Sequence, residues 1–415
     1  MSNQDGAGIV MMCGLDVGNG YVKGRTKVVG KPTFDVDLPS CVAYTPQVSW
    51  VAAEASDAMM DDLVNNLDCD VMSSSVAPGD RRRILVGRRA AESGRTAIMF
   101  DINDSRPKCD DSLSGQLICS SIAAAAIRDA WVEKGSVPSR IDVAAYVTLA
   151  LPIIDFAGNH ERYASMFESG NHTVHVHNFE HEVTVEITFP KVFVIPEGAA
   201  AQFAIVSLGE GFMDGLLADA REHGIPCEGE TGASVVGYAN TIGIDIGEGT
   251  VNFPVFRDGK VNVDASSSIN RGFGTVLGEV VEQTRGLGWA PESRKDLSEF
   301  MLKKAATRRD TLIKSRIEEL VKAESDVFVR DIISEYTRVL RRTKLVSDVV
   351  YVYGGGADAV RDTLWPRLAE ASKLDEGIYM PVIYLDSTLS RVLNRDGLFS
   401  VSLAMAEQDG VAVGK

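Results

Sequence analysis

The chain has 415 residues, 45% of them apolar and 24% charged, and a formal net charge of −16. That length allows two or three domains with sizeable cores, and the composition is that of a soluble globular protein. The acidity argues against broad direct binding to nucleic acid or to an anionic membrane, but not against a partner that itself binds DNA.

Six cysteines are scattered at 13, 41, 69, 109, 119 and 227 with no CxxC spacing. The N-terminal "MSNQDGAGIVMMCG" has neither a basic region nor a long apolar core, and no run of 18 apolar residues occurs anywhere. A reduced, cytoplasmic protein without a signal peptide or membrane span is the expectation.

From the N-terminus, 9–38 reads as strands joined by glycine turns: "IVMMCGLDV", then the alternating "YVKGRTKVV", then "TFDVDLPS". Residues 47–110 are irregular and acidic around one basic island, "RRRILVGRRA". "SGQLICSSIAAAAIRDAWVEKG" has helical spacing and ends at glycine. "IDVAAYVTLALP" is a buried-type strand closed by Pro152. A helix near 158–168 follows, then the alternating strands of "HTVHVHNFEHEVTVEITF", then "KVFVIPEGAAAQFAIVSL", a strand running into a helix. Residues 208–238 read as an inserted helix plus glycine-rich loop.

The second half repeats the theme. "ANTIGIDIGEGTVNFPVFRDGKVNVDASSS" is strand, turn, strand, turn, strand. A helix starts near Gly272, and a charged helical block covers roughly 296–344. The buried strand "DVVYVYGGG" and the helix "ADAVRDTLWPRLAEA" come next. A duplicated α/β fold with a cleft between two similar domains is the economical reading. The first domain is 9–205, with 47–110 as a smaller subdomain and 380–413 returning to it. The second is 206–379.

The duplication is sharpest in two stretches 229 residues apart. "GLDVGNGYVKG" (14–24) and "GIDIGEGTVNF" (243–253) share Gly, Asp, Gly, Gly and Val at the same spacing. In each, an apolar strand delivers an Asp (Asp16, Asp245) to a turn with glycines two and four residues on: Gly18 and Gly20, Gly247 and Gly249. Such a turn lets backbone N–H groups form an anion nest, and the carboxylate can hold a hydrated Mg²⁺. Two such hairpins would grip a polyphosphate, one half-clamp per domain. Asn19 and Glu248 are turn residues. Thr250 can donate a hydroxyl to phosphate, whereas Glu248 is expected to face outward or meet metal-bound water.

These paired stretches resemble the two phosphate loops of the actin, Hsp70 and sugar-kinase superfamily. The first resembles the actin-type members, and the ParM-like plasmid-segregation actins among them, because Lys23 follows Asp16 by seven residues. "ILVGRRAA" (84–91), "TLALPI" (148–153, with Ala150 where glycine is usual), "VIPEGAAAQ" (194–202), "YVYGGGADAV" (351–360) and "LNRDGLF" (393–399) resemble further ParM-like elements in the right order. Residues 47–80 and 208–238 match none.

The resemblance implies an actin-like ATPase that binds ATP, or GTP, with Mg²⁺. Lys23 would contact phosphate, Gly354, Gly355 and Gly356 would admit the adenosine, and Asp16 and Asp245 would hold Mg²⁺ through water. Glu197 would position the hydrolytic water; alternatively it is only a favourable helix-start carboxylate. Polymerisation head to tail, with filaments moving plasmid or phage DNA through a DNA-bound adaptor, would be the function. A small-molecule kinase of the same superfold needs a base, for which Asp155 is a weak candidate. An Hsp70-like ATPase needs a C-terminal substrate domain, and the chain ends about 60 residues after the adenosine motif.

Two further signals carry less. His172, His175, His177 and His181 admit a metal site, although an exposed histidine-rich hairpin is the plainer reading. The basic island reads residue by residue as a solvated face, and as a patch as an intersubunit contact.

Overall fold

Ile9–Val17 is the organising strand of the N-terminal half. In the computed structural model, which describes residues 8–46, 54–101, 106–287, 291–344 and 347–413, it pairs antiparallel with Tyr21–Val28 and parallel with Arg140–Leu151. Residues 47–53 of the unmatched segment, and the first seven residues on which the absence of a leader was read, lie outside the described residues.

Thr33–Pro39 pairs with Tyr21–Val28, and Val183–Pro196 lies parallel to Arg140–Leu151. Beyond them come His172–Val176, Asp68–Ser73, Arg83–Val86, Cys41–Tyr44 and Ile98–Met99, making ten strands in one sheet. Residues 47–110, read from the sequence as irregular, thus supply three short strands to the same sheet among the described residues. The helix Ser112–Lys134 packs on it, with Leu113 to Ile127 all buried. Asp111 caps its start and Gly135, in the left-handed region, its end.

The second sheet repeats the first. Thr241–Ile246 pairs antiparallel with Val251–Phe253, which pairs with Ser267–Ile269. On its other side Thr241–Ile246 runs parallel to Val349–Tyr353, which runs parallel to Val382–Tyr384. The five-strand order is therefore the same in both halves: two antiparallel strands, the Asp-bearing strand, then two parallel ones. Pro254 splits the outer hairpin strand, since it lacks an N–H for the ladder; Val255–Arg257 continues the pairing beyond it.

Between the sheets' elements come Ile153–Glu168, Ala199–Ser207, Glu210–Glu222 and Gly232–Gly237. The charged block resolves into Arg294–Leu302 and Arg308–Arg342, the latter opened by a Thr307–Asp310 capping box. Arg361–Ala371 and Ser387–Gln408 complete the helices used below. The chain divides into one unit of 1–151, 155–201 and 392–415 and a second of 152–154 and 202–391. Among the described residues no helix is long and apolar enough to cross a membrane.

In the first unit, residues 392–408 of helix Ser387–Gln408 lie against the Asp-bearing strand. A β-carbon on Gly14 would stand 2.2 Å from the Phe399 nitrogen, and one on Gly397 would stand 2.1 Å from the Ala200 carbonyl oxygen. Both glycines are there because backbone touches backbone.

The basic island is spent inside the unit. Arg83 pairs with buried Asp68 at 2.6 Å, Arg89 reaches Asp68 and the Asn66 carbonyl, and Arg88 pairs with Asp62. Arg81 donates to the Val76 carbonyl, and Arg82 lies over the Tyr44 ring. These guanidinium groups hold local partners, while Arg82 and Arg88 stay exposed.

Candidate nucleotide site

The two Asp–Gly–Gly turns close with the same bond. Gly18 N–H donates to the Tyr21 carbonyl at 3.0 Å, and Gly247 N–H to the Thr250 carbonyl at 2.9 Å. A β-carbon would crowd that carbonyl in both, at 2.8 Å from Tyr21 O and 3.1 Å from Thr250 O. The matched spelling is therefore matched geometry.

In the first unit Ser40 braces the turn, its hydroxyl donating to Gly18 O at 2.6 Å and its N–H to Gly20 O at 2.9 Å. Asp16 and Lys23 are directly opposite in the hairpin register, so they share a face. Burial pushes the Asp16 carboxyl up to about 6, and nearby Glu197 adds to the rise. Lys23, Lys108 and a hydrogen bond from Asn394 oppose it.

Glu197 occupies the turn between Val183–Pro196 and helix Ala199–Ser207, two residues before the helix rather than in its first turn. Gly198, at φ +79°, makes that bend. The Glu197 N–H donates to the Leu151 carbonyl at 2.7 Å. Its carboxylate accepts from Lys108 Nζ at 2.8 Å, and the same ammonium donates to the Val17 carbonyl at 2.9 Å. Burial raises the nearby Asp155 carboxyl, with a hydrogen bond from the Lys108 backbone opposing and Glu197 adding to the rise.

In the second unit Asp245 is buried at the end of Thr241–Ile246. Its turn is tied to the helix Phe273–Thr284: Phe273 N–H donates to Gly247 O at 3.0 Å and Gly274 N–H to Glu248 O at 2.8 Å. Glu248 is exposed and pairs with Arg294 at 3.0 Å. Asn252 donates to Thr250 Oγ1 at 3.4 Å.

Gly354 and Gly356 close on the same strand end. Gly354 has φ +104°, and a β-carbon there would stand 2.5 Å from Ile246 O. Gly356 N–H donates to Ile246 O at 2.9 Å, while Gly355 is exposed with open space around it. The structure thus gathers Asp16, Gly18, Asn19, Gly20, Lys23 and Glu197 in one unit. Asp245, Gly247, Gly249, Thr250, Gly354, Gly355 and Gly356 gather in the other.

The fit to Mg-nucleotide rests on three features. Two equivalent turns each place a glycine, where a β-carbon would crowd the turn's own carbonyl, beside a carboxylate of the kind Mg²⁺ takes through water. A lysine faces one of them. A third glycine turn admits backbone approach next to Asp245.

The fold has solved counterparts. Bacillus thuringiensis ParM with ATP superposes at a TM-score of 0.58 with 17% identity, covering 96% of this chain and 99% of that one. Ta0583, an archaeal actin homologue, superposes at 0.58 with 15% identity over 95% and 99%, and the apo pSK41 ParM protein at 0.54 with 14% over 97% and 99%. The chain has the actin-like ATPase fold. Residues 243–365 match the family model described as archaeal actin homologue MreB-like, C-terminal. No curated protein sequence matches the chain significantly.

Three residues near these turns stand outside the candidate site residues read from the sequence: Lys108, Asn394 and Arg294. Asn394 falls inside the "LNRDGLF" resemblance, which was a usable signal; Lys108 and Arg294 had none. The histidines separate. His172 is buried between Ser73 Oγ and the Phe167 carbonyl, contrary to an exposed hairpin, while His177 binds Asp70 and His175 binds Glu182. Among the described residues no cluster of His, Cys, Asp or Glu forms a metal site.

Proposed function

We propose that the chain is a cytoplasmic, nucleotide-dependent ATPase that polymerises head to tail, its filaments segregating plasmid or phage DNA through a DNA-bound adaptor protein. The observation that carries this reading is the paired turn, Asp16–Gly20 and Asp245–Gly249, closed by equivalent hydrogen bonds within an actin-like fold. The similar structures support it: Bacillus thuringiensis ParM is among them with ATP, with ADP and with AMPPNP.

In this reading each unit contributes one turn to the phosphates of ATP or GTP. Asp16 and Asp245 would hold Mg²⁺ through water, and Lys23 would add charge on the phosphate side. The glycines at 354–356 keep side chains away from the nucleoside. Bound Mg-ATP supplies the γ-phosphoryl group that is transferred to water. Glu197 orients that water; positioning and charge stabilisation are the main contributions open to the protein. Thr250 donates to a phosphate oxygen. A heterologous contact that repeats without closing yields a filament.

Right-angle light scattering and pelleting of the pure protein with Mg-ATP, Mg-GTP, ADP or no nucleotide test this. Scattering that rises with triphosphate and decays as diphosphate accumulates is expected. A protein that stays monomeric at tens of micromolar with every nucleotide would overturn the filament reading and favour the kinase, which turns over only with its acceptor.

A further inference from the structure

Lys108 belongs to no motif read from the sequence, yet its ammonium group joins two parts of the first-unit site. It donates to Glu197 Oε1 at 2.8 Å and to the Val17 carbonyl at 2.9 Å. Val17 lies between Asp16 and Gly18, so one cation ties the carboxylate to the root of the turn. Both side chains are about one-tenth exposed, which shields the pair from water and salt.

The lysine's own backbone is fixed. It opens the short turn Lys108–Asp110, whose continuation is the capped helix Ser112–Lys134. Its carbonyl accepts from Ser114 Oγ at 3.0 Å, and its backbone meets Asp155. Phe100 flanks the ammonium with its ring centroid 5.8 Å away. Glu197 sits in a two-residue turn held by the Leu151 carbonyl, and its carboxylate is paired with Lys108.

We propose that Lys108 is a positioning residue for hydrolysis: it holds the Glu197 carboxylate in one orientation against the Asp16–Gly20 turn. The proposal rests on Glu197 as the water-orienting group. Two of the ammonium's three N–H donors are engaged by protein oxygens, so its effect falls on the chemical step rather than on nucleotide affinity. Removing it takes a cation from among Glu197, Asp16 and Asp155, and like charges then push the glutamate off its aim.

The test compares wild type, Lys108→Met, Lys108→Arg, Glu197→Gln and the Lys108→Met/Glu197→Gln double variant. Single-turnover ATP hydrolysis, affinity for a fluorescent ATP analogue and thermal unfolding without nucleotide are measured for each. Lys108→Met is expected to slow hydrolysis by about ten- to a hundredfold with affinity within about threefold of wild type. Lys108→Arg should fall between the two. The double variant should be no slower than Glu197→Gln alone, and the unfolding cycle should show coupling between the two positions. Lys108→Gln, which keeps a donor on a long stem, replaces the methionine variant if that fails to fold, with the same split expected.

Normal hydrolysis in Lys108→Met, losses that add in the double variant, or a fall in affinity matching the fall in rate would each overturn the proposal. If Glu197→Gln is slow while Lys108→Met is normal, only this inference fails. If Glu197→Gln hydrolyses normally, the glutamate's role fails and takes this one with it.

Discussion

Gly354 and Asp245 approach so closely that a β-carbon on the glycine would stand 2.6 Å from Asp245 Oδ1, and the glycine's φ of +104° already excludes most side chains. Neighbouring Gly355 has open space. Gly354→Ala is therefore expected to destabilise the second unit by about 1–3 kcal/mol or more and to abolish tight nucleotide binding. Gly355→Ala should stay within about 0.5 kcal/mol of wild type. Chemical denaturation and nucleotide titration of both variants check the contrast; equal behaviour would mean the strand end relaxes around a methyl group.

Asp16→Ala and Asp245→Ala should each weaken Mg-ATP binding at least tenfold, in keeping with loss of a carboxylate from a Mg²⁺ site. Isothermal titration reads this directly. Unchanged affinity in both would remove the reason for pairing the two turns.

Glu197→Ala should bind ATP yet hydrolyse it about a hundredfold more slowly, and its filaments should persist. Phosphate release measured beside pelleting gives both quantities. Normal release would leave Glu197 as a turn residue between strand and helix.

Asp16 also predicts a pH dependence. Its carboxyl lies at about 6 in the folded chain against an ordinary 3.8, through burial and the nearness of Glu197. The folded state thus holds this proton more tightly than the unfolded chain, and stability falls as pH rises from about 4 to about 6. In chelator and without nucleotide, Asp16→Asn is expected to raise the melting temperature at pH 7.5, by the equivalent of about 1–3 kcal/mol. The gain should vanish near pH 4. A gain independent of pH would show that the carboxylate's charge is not its source.

Much of this was legible in the sequence, because the informative signals are local. Gly18 and Gly247 each follow an aspartate by two residues, where a β-carbon would crowd the turn, and the strands that feed them are largely apolar runs. Other features depend on partners far along the chain. Lys108 and Glu197 are 89 residues apart, and nothing near either announces the other. Arg83 and Arg89 read as surface charge until the fold brings Asp68 beneath them. His172 lost its surface placement the same way, to Ser73 across the sheet. Ser387–Gln408 gave no clear helix signal, its apolar residues being interrupted by polar ones and by Gly397, whose role is to meet Ala200 rather than to favour helix.

Gly14 faces Phe399, and that pairing bears on how the chain is made. During synthesis the N-terminal strand leaves the ribosome hundreds of residues before the helix that covers it. The whole of 202–391 emerges in between, and that unit can finish folding while the earlier one waits for 392–408. Throughout that interval the buried face at Met12 and Tyr146, which Phe399 and Met405 later cover, stands open to water. A chain truncated before residue 392 and released would offer that apolar face to chaperones, whereas one that includes the helix Ser387–Gln408 would cover it.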